Sequence, residues 1–473
     1  MTDELPEIPE SLKGWTVASV RSVVSTLQYG ISTKADTDAK GGIVILRMGN
    51  IQNGRLDLSD LKYVPRSKDL DPVLLNRGDV LFNRTNSPDL VGKSAVVDVD
   101  DEMVFASYLI RLTARTDAID PKYLCWWINS TWGRQWAARV KTDGVSQSNI
   151  NGTKLGEMPI ALAPLPEQHR IVEKVEALLE QVNRAKERLD RVPLILKRFR
   201  QAVLAAACSG QLGHAREAAV AGPLEFLPEL PHGWRWMTAE ETCSRVVDCH
   251  NKTAPYTETG IRLLRTTNIR GGKLVLDDAR FVSEETYKFW SRRCPPEPGD
   301  VLFTREAPMG EAALIPPGMK ICMGQRMMLL RADRKLLSPE YLLLAVQAPY
   351  VHKYAEHVAV GSGVLHMRVG DVERMPIPVP PKEEQAALVT LAKSALSFVD
   401  KVEERLDRAT HRAEQIPQSI LSKAFAGELV PTEAELARLE GRTYETAEEL
   451  LKRVTALGSD VPSARKGRGR RTG

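Results

Sequence analysis

Pro88-Asp89, followed by Asp120-Pro121-Lys122, has the residue types of a metal-dependent nuclease centre. Two carboxylates beside a lysine would hold magnesium and activate a water. A second copy of the stretch argues for a plainer role. IDPKYL (Ile119–Leu124) recurs as LSPEYL (Leu337–Leu342), with Asp120 replaced by Ser and Lys122 by Glu. What survives is a helix start, an N-cap residue followed by proline at the first helical position. The other chemical candidates weaken in the same way. Cys243, Cys249 and His250 are the only clustered soft ligands, and their spacing does not match a zinc site. With Cys125, Cys208, Cys294 and Cys322 they read as reduced thiols. An amino-methyltransferase needs an aromatic residue after its Pro-Pro pair, to stack on a flipped base. The pairs in CPPEP, IPPGM and VPPKE have none. No glycine-rich loop ends in GK[ST], and the single GxG of VAVGSGV (Val358–Val364) falls where the first copy reads KTDGVSQSN. The sequence therefore predicts no catalytic residue, no metal ligand and no cofactor held by this chain.

The repeat behind that comparison is long. ERLDR occurs at Glu187–Arg191 and again at Glu404–Arg408, an offset of 217 residues. Near that offset MPIALAPLPEQ (Met158–Gln168) faces MPIPVPPKEEQ (Met375–Gln385), and VLAAACSGQL (Val203–Leu212) faces ILSKAFAGEL (Ile420–Leu429). GW at Gly14 recurs at Gly233, LRMGNIQNG (Leu46–Gly54) as LRTTNIRGG (Leu264–Gly272), and RGDVLFNR (Arg77–Arg84) as PGDVLFTR (Pro298–Arg305). Chance does not keep that order. The chain is a tandem duplication of a unit longer than about 200 residues.

Each unit begins with strand-like runs such as IVILRM and DVLF between NG, GG and GD turns, and ends in a long helix that starts just after prolines. In the first helix, apolar residues fall at Ile171, Val175, Leu178, Val182, Ala185, Leu189 and Val192, alternating steps of four and three. That is a heptad seam. The second carries Leu388, Ala392, Ala395, Val399, Val402, Leu406 and Ala409. An antiparallel pairing sets small residues against large ones: Ile171 against Ala409, Val175 against Leu406, Leu189 against Ala392. Pro193 and Pro417 are expected to end these rods and begin a second, apolar helix. A first rod of about 26 residues would be about 39 Å long, near one turn of DNA. Glycine in SGQL and AGEL suits a left-handed helix end.

The expected fold class is mixed α/β (α+β). Two tandem globular units, 1–163 and 213–380, are separated by helical spacers, 164–212 and 381–430, that pair as an antiparallel coiled coil with pseudo-twofold symmetry. Residues 431–473 form a helical extension and a disordered basic tail, RKGRGRR (Arg465–Arg471). A hydrophobic share of 43% and a net charge of +4 fit a globular protein whose partners are set by local patches rather than overall charge. No apolar run reaches membrane-spanning length, and MTDELPEIPE lacks the order of a signal peptide, so a cytoplasmic location is expected.

The order GW, LR..NI..G, GDVLF.R, MPI..PP..EQ, heptad helix and A..G.L, found twice, resembles the specificity subunit of type I restriction–modification systems. The first junction departs slightly, LAPLPEQ standing where the paired prolines would be. The resemblance implies two target-recognition domains that read the halves of a split double-stranded DNA sequence. It implies helices that dock two methyltransferase subunits, with restriction subunits joining them. It also implies that S-adenosylmethionine, ATP and magnesium belong to those partners. A duplicated coiled-coil adaptor that binds protein and not DNA is the alternative.

Base edges are read by side chains in loops, Arg pairing well with guanine and Asn or Gln with adenine. Equivalent loops that differ between the copies are where two half-sites would be told apart. After GDVLF stand Asn83 and Arg84 in one copy, Thr304 and Arg305 in the other. Before the long helices stand Ser146, Gln147, Ser148 and Asn149 against His366 and Arg368. Arg47 and Arg265, before the NI motif, would either meet phosphate or be buried against an acid. Lys34 and Lys252, in polar loops, would serve phosphates.

Overall fold

The computed structural model describes residues 12–33, 35–36, 42–145, 147–212, 218–250, 252–361 and 363–457. The chain divides into two compact units, Met1–Arg188 with Thr410–Gly473, and Leu189–Ala409. In the first, an antiparallel sheet runs in the order Val24–Tyr29, Leu109–Ala114, Asp79–Asn83, Ser94–Val96. A second sheet sets Gly42–Leu46 between Met103–Phe105, parallel, and Lys62–Pro65, antiparallel. The second unit repeats this plan. Its sheets run Cys243–Asp248, Met327–Ala332, Val301–Thr304, Ala312–Leu314, and Arg280–Val282, Ile261–Leu264, Ile321–Met323.

The repeated motifs are mostly devices of local folding. In the GDVLF words, Gly78 and Gly299 both have φ near +93°, a conformation glycine adopts without strain. The next residue, Asp79 or Asp300, is buried and accepts a backbone N–H three residues upstream, from Asn76 or Glu297. Each carboxylate also meets an arginine of the neighbouring strand, Arg111 at 3.6 Å and Arg331 at 2.7 Å. In the NI words, the buried Asn50 and Asn268 each accept the backbone N–H of the preceding arginine and donate to a carbonyl seven residues on. The helix start proposed for the nuclease-like stretch is present. Asp120 caps Pro121–Asn129 by accepting the N–H groups of Lys122 and Tyr123, and Ser338 caps Pro339–Val346. Among the described residues no group of three or more metal-binding side chains occurs, and all six cysteines are free and buried.

The long helices differ from the expectation. Leu165–Cys208 and Lys382–Phe425 each run unbroken for 44 residues, with Pro193 and Pro417 inside them. The prolines do not end the rods. Each removes one backbone donor, a local loss that a long helix packed on neighbours absorbs. At 1.5 Å per residue each rod is about 66 Å rather than about 39 Å. The left-handed ends are as expected, Gly210 at φ +70° and Gly427 at φ +74°.

Each unit takes a share of both helices, and the chain runs through those shares in opposite senses. In the first unit Ile171, Val175 and Val182 share one core with Ile420, Leu421, Ala424 and Phe425 and with the globular part's Tyr123 and Trp127. In the second, Leu388 and Ala392 share a core with Val203, Leu204 and Ala207 and with Tyr341. The expected register, Ile171 against Ala409, Val175 against Leu406 and Leu189 against Ala392, is therefore displaced. The apolar turns after the prolines supply the helix partners, and they are richer in buried side chains than the central heptads. Leu178, Leu189, Val402 and Leu406 are partly exposed, Val399 is buried and Ala185 is exposed. Among the described residues no helix is long and apolar enough to cross a membrane.

One polar device joins each globular part to its helix. Glu167 accepts the Trp15 indole N–H at 2.8 Å, and Glu384 accepts that of Trp234 at 3.1 Å. The next residue, Gln168, accepts the N–H of Asp120 and donates to the carbonyls of Ala118 and Ala163. Gln385 does the same with Ser338, Leu336 and Pro380. Both glutamines are buried, so truncation strands several backbone groups away from water. Gln168→Ala and Gln385→Ala should each cost about 2–4 kcal/mol of stability, read from the denaturant midpoint. An unchanged midpoint would show that the glutamine does not hold the joint.

Candidate nucleic-acid interface

The structure brings together the two loop segments that the sequence singled out. In the first unit Thr85–Asn86 pairs with Ser148–Asn149, which pairs in turn with Thr142–Asp143 to make a short hairpin. In the second, Glu306 and Val360 both bridge to His366. The arginine after GDVLF ties each junction. Arg84 donates to the Ser107 carbonyl and to the Asn149 side chain, and its guanidinium lies 4.9 Å from the Tyr29 ring centre. Its backbone carbonyl accepts the N–H of Ile150. Arg305 donates to the carbonyl of Met367 and accepts that residue's N–H. Among the described residues neither arginine forms an ion pair. Each is half-buried and orients a loop.

The remaining candidates divide by exposure. Gln147 and Arg368 are exposed, and His366 is half-buried. Asn149 is committed on both sides, accepting from Arg84 and donating to Thr85. Ser148 is buried and donates to Asp143, whose carboxyl is held below its ordinary range chiefly by that bond. Asn83 and Thr304 are fully buried, with Thr304 donating to the Pro308 carbonyl at 2.6 Å. Arg47 and Arg265 each meet an acid, as one of their two expected roles has it, but the pairs are not buried: both arginines are half-buried and both carboxylates are exposed. The arginines bind Asp60 at 2.9 Å and Asp278 at 2.7 Å, at matching places in the two copies. Lys252 is exposed. Lys34, Ser146 and the RKGRGRR tail lie outside the described residues.

Several residues on this rim were not singled out from sequence. Among the described residues up to Ala163, the exposed large apolar side chains are Tyr29, Leu90, Tyr108 and Val145. All four lie at or beside the junction. Tyr29 touches Arg84, the Tyr108 carbonyl accepts the Arg84 N–H, Val145 sits in the hairpin, and Leu90 and Tyr108 wall an open groove of about 520 Å³. Exposed apolar side chains gathered on one edge mark an interaction surface. Gln52, Asn86 and Lys93 also line the groove, and Lys93 donates to Gln52 at 3.2 Å. Partial burial, with Arg134 nearby, holds the Lys93 amine below its usual range. A signal for this pair was present in the repeat. Lys93 stands where the second copy has Glu311, and Gln52 where it has Arg270, beside glycines common to both.

The fold and this rim define a duplicated recognition protein, with each copy presenting donors and rings from loops held by a rigid sheet. Residues 13–193 and 252–408 match the family described as type I restriction modification DNA specificity domain. The chain belongs to that family, as a specificity subunit, and is a non-catalytic DNA-recognition subunit whose partners are DNA and the system's methyltransferase and restriction subunits. It is 28% identical over 435 residues to the specificity subunit of type I restriction enzyme EcoKI from Escherichia coli K12, covering 89% of this chain and 90% of that one. It is 27% identical over 441 residues to that of StySPI from Salmonella potsdam, with the same coverage. Among solved structures it resembles the HsdS subunit from Thermoanaerobacter tengcongensis, with TM-score 0.56, 21% identity and coverage of 91% of this chain and 100% of that one. It also resembles a chain from work on complex assembly and conformational transition of the type I R-M system, with TM-score 0.65, 21% identity and coverage of 88% and 99%. At that identity the two structures speak to the fold.

The geometry separates loop-holding from base-reading residues. Arg84→Met should lower stability by about 1–3 kcal/mol, since it takes a donor from the Ser107 carbonyl and from the Asn149 side-chain oxygen. Gln147→Ala should leave thermal unfolding unchanged and relax base preference within one half of the target, as read by methylation mapping. An Arg84 variant of unchanged stability, or a Gln147 variant with an unaltered target, would reverse these assignments.

Proposed function

We propose that the two units read different halves of a split duplex target through equivalent rims. The first uses the Thr142–Asn149 hairpin and the groove beside Lys93. The second uses the loops around Glu306 and His366. The observation that carries the reading is that both junctions are tied by the same arginine while the residues they display differ. The scaffold is kept and the presented chemistry is changed, as expected of readers of unlike half-sites.

The finer organisation follows from the helices. Two methyltransferase subunits dock on them, one serving each half-site, and restriction subunits join that core. Leu194, Ile195 and Phe199 on one helix, with Leu391 and Phe398 on the other, are exposed large apolar side chains and support such docking. S-adenosylmethionine, ATP and magnesium are brought by those partners, and the whole assembly works in the cytoplasm beside chromosomal DNA. The methyltransferase flips and modifies an adenine in each half-site. The adaptor reading does not account for the hydrogen-bond donors that each rim displays beside its apolar side chains, Gln147 and Lys93 on one and His366 and Arg368 on the other.

Removing one heptad from both long helices shortens each by about 10 Å, about three base pairs of duplex. The preferred spacing between half-sites should fall by about that amount while the half-site sequences stay the same. Mapping of methylated adenines in cells carrying the shortened chain reads both. An unchanged spacing with retained methylation would contradict the helices' role as a ruler.

A further inference from the structure

Between Val282 and Glu297 the second copy carries Tyr287, Phe289 and Trp290, whereas the matching stretch of the first copy, between Pro65 and Asn76, has no aromatic residue. The first copy makes there a short turn, Lys68–Val73, and the carbonyls of Pro72 and Leu74 accept the buried Arg111. The second makes a helix, Glu284–Trp290, in which Lys288 and Phe289 are exposed and Trp290 is half-buried. The His250 ring lies 4.7 Å from Trp290 and 5.5 Å from Phe289, centre to centre, and Phe289 is half exposed. The Arg292 guanidinium lies 4.2 Å from the Phe289 ring centre, and the same side chain donates to the Phe289 carbonyl at 2.7 Å. Among the described residues no carboxylate pairs with Arg292, while its neighbour Arg293 pairs with Asp248.

This cluster is continuous with the rim of the second unit. Arg293 donates to the carbonyls of Asp248 and Cys249, the Cys249 N–H goes to Met327, and Met327 pairs in the sheet with Thr304, next to Arg305. Lys252 lies two residues beyond His250 and is exposed. A guanidinium stacked on a ring and pinned at one nitrogen has lost most of its rotamer freedom before any ligand arrives. Its remaining N–H groups form a planar fork suited to phosphate. The cation covers one face of the ring beneath it, and the free N–H groups of its fork favour a backbone contact over an unpaired nucleobase.

We propose that His250, Phe289 and Trp290 form a platform that holds Arg292 against a DNA phosphate beside the second half-site, a backbone anchor the first unit does not share. The proposal rests on the reading of this chain as a reader of split duplex DNA. The anchor adds affinity without adding sequence information, so the two units grip the duplex unequally.

The test uses the full chain assembled with its methyltransferase subunits and a duplex bearing the target found by methylation mapping. Duplexes ending at the second half-site are compared with duplexes extended past it by about ten base pairs. Arg292→Ala should weaken binding to the extended duplex about tenfold, and the slope of log affinity against log salt should fall by about one. Arg292→Lys keeps the charge but loses the fork, and should recover the slope with only part of the affinity. The methylated sequence should be unchanged in both variants, and because Arg292 is exposed both should fold. If the wild-type complex discriminates its target and Arg292→Ala leaves affinity and slope unaltered, the platform is refuted, including when that variant instead weakens binding of a protein subunit. A wild-type complex that does not distinguish its target from random duplex would sink the underlying reading, and the platform with it.

Discussion

Two buried glutamines, Gln168 and Gln385, each close the same three-way joint between a globular part, a helix start and a long helix. An indole-to-carboxylate bond stands next to each, Trp15 with Glu167 and Trp234 with Glu384. These polar groups are expensive to bury unless every partner is in place, so the joint tolerates little change of angle. Everything displayed at the rims inherits its position from that joint. The sheets hold the loops, the helix Pro121–Asn129 or Pro339–Val346 holds the sheet, and Gln168 or Gln385 holds the helix start.

The two joints are alike in polar bonding and unlike in packing. At the end of the second long helix Phe425 meets the edges of Tyr123 and Trp127, with ring centres 5.2 and 5.1 Å apart. The matching position of the first long helix is Cys208, buried in the core that holds Tyr341 and Tyr350. The first unit is further closed by chain that follows the second helix. Glu433 is buried between Arg170 and Arg442, its N–H bonds Glu167, and the helix Ala447–Leu457 sends Ala447, Leu450 and Val454 into the core. The duplication thus kept a common hydrogen-bonded frame while each copy refilled its own interior.

Much of this was legible in the sequence because it is local. The N-caps at Asp120 and Ser338, the glycine turns of GDVLF and the left-handed ends at Gly210 and Gly427 depend on residues within a few positions of one another. The repeat gave the rest of the plan by showing which words persist. What escaped was decided across distance. Pro193 and Pro417 signal a break, yet the helices continue because packing outweighs one missing donor. The helix register followed the buried turns near Val203 and Ile420, which a heptad count centred on ERLDR does not weigh. Arg47 and Arg265 find Asp60 and Asp278 thirteen residues on, and Arg84 finds a carbonyl at Ser107, partners that residue type alone does not name. The rim around Tyr29, Leu90, Tyr108 and Val145 is visible only as exposed apolar surface in the folded unit.

If the joint makes the two seats equivalent, a reader built for one seat should work in the other. The direct measurement is methylation mapping of cells whose chain carries residues 233–380 in place of 14–163, with Phe425→Cys to match the packing beside Cys208. The account requires a symmetric target, the second half-site and its inverted copy, at the original spacing. A target that stays asymmetric, or methylation confined to a single unpaired half-site, would show that the two units are not interchangeable readers.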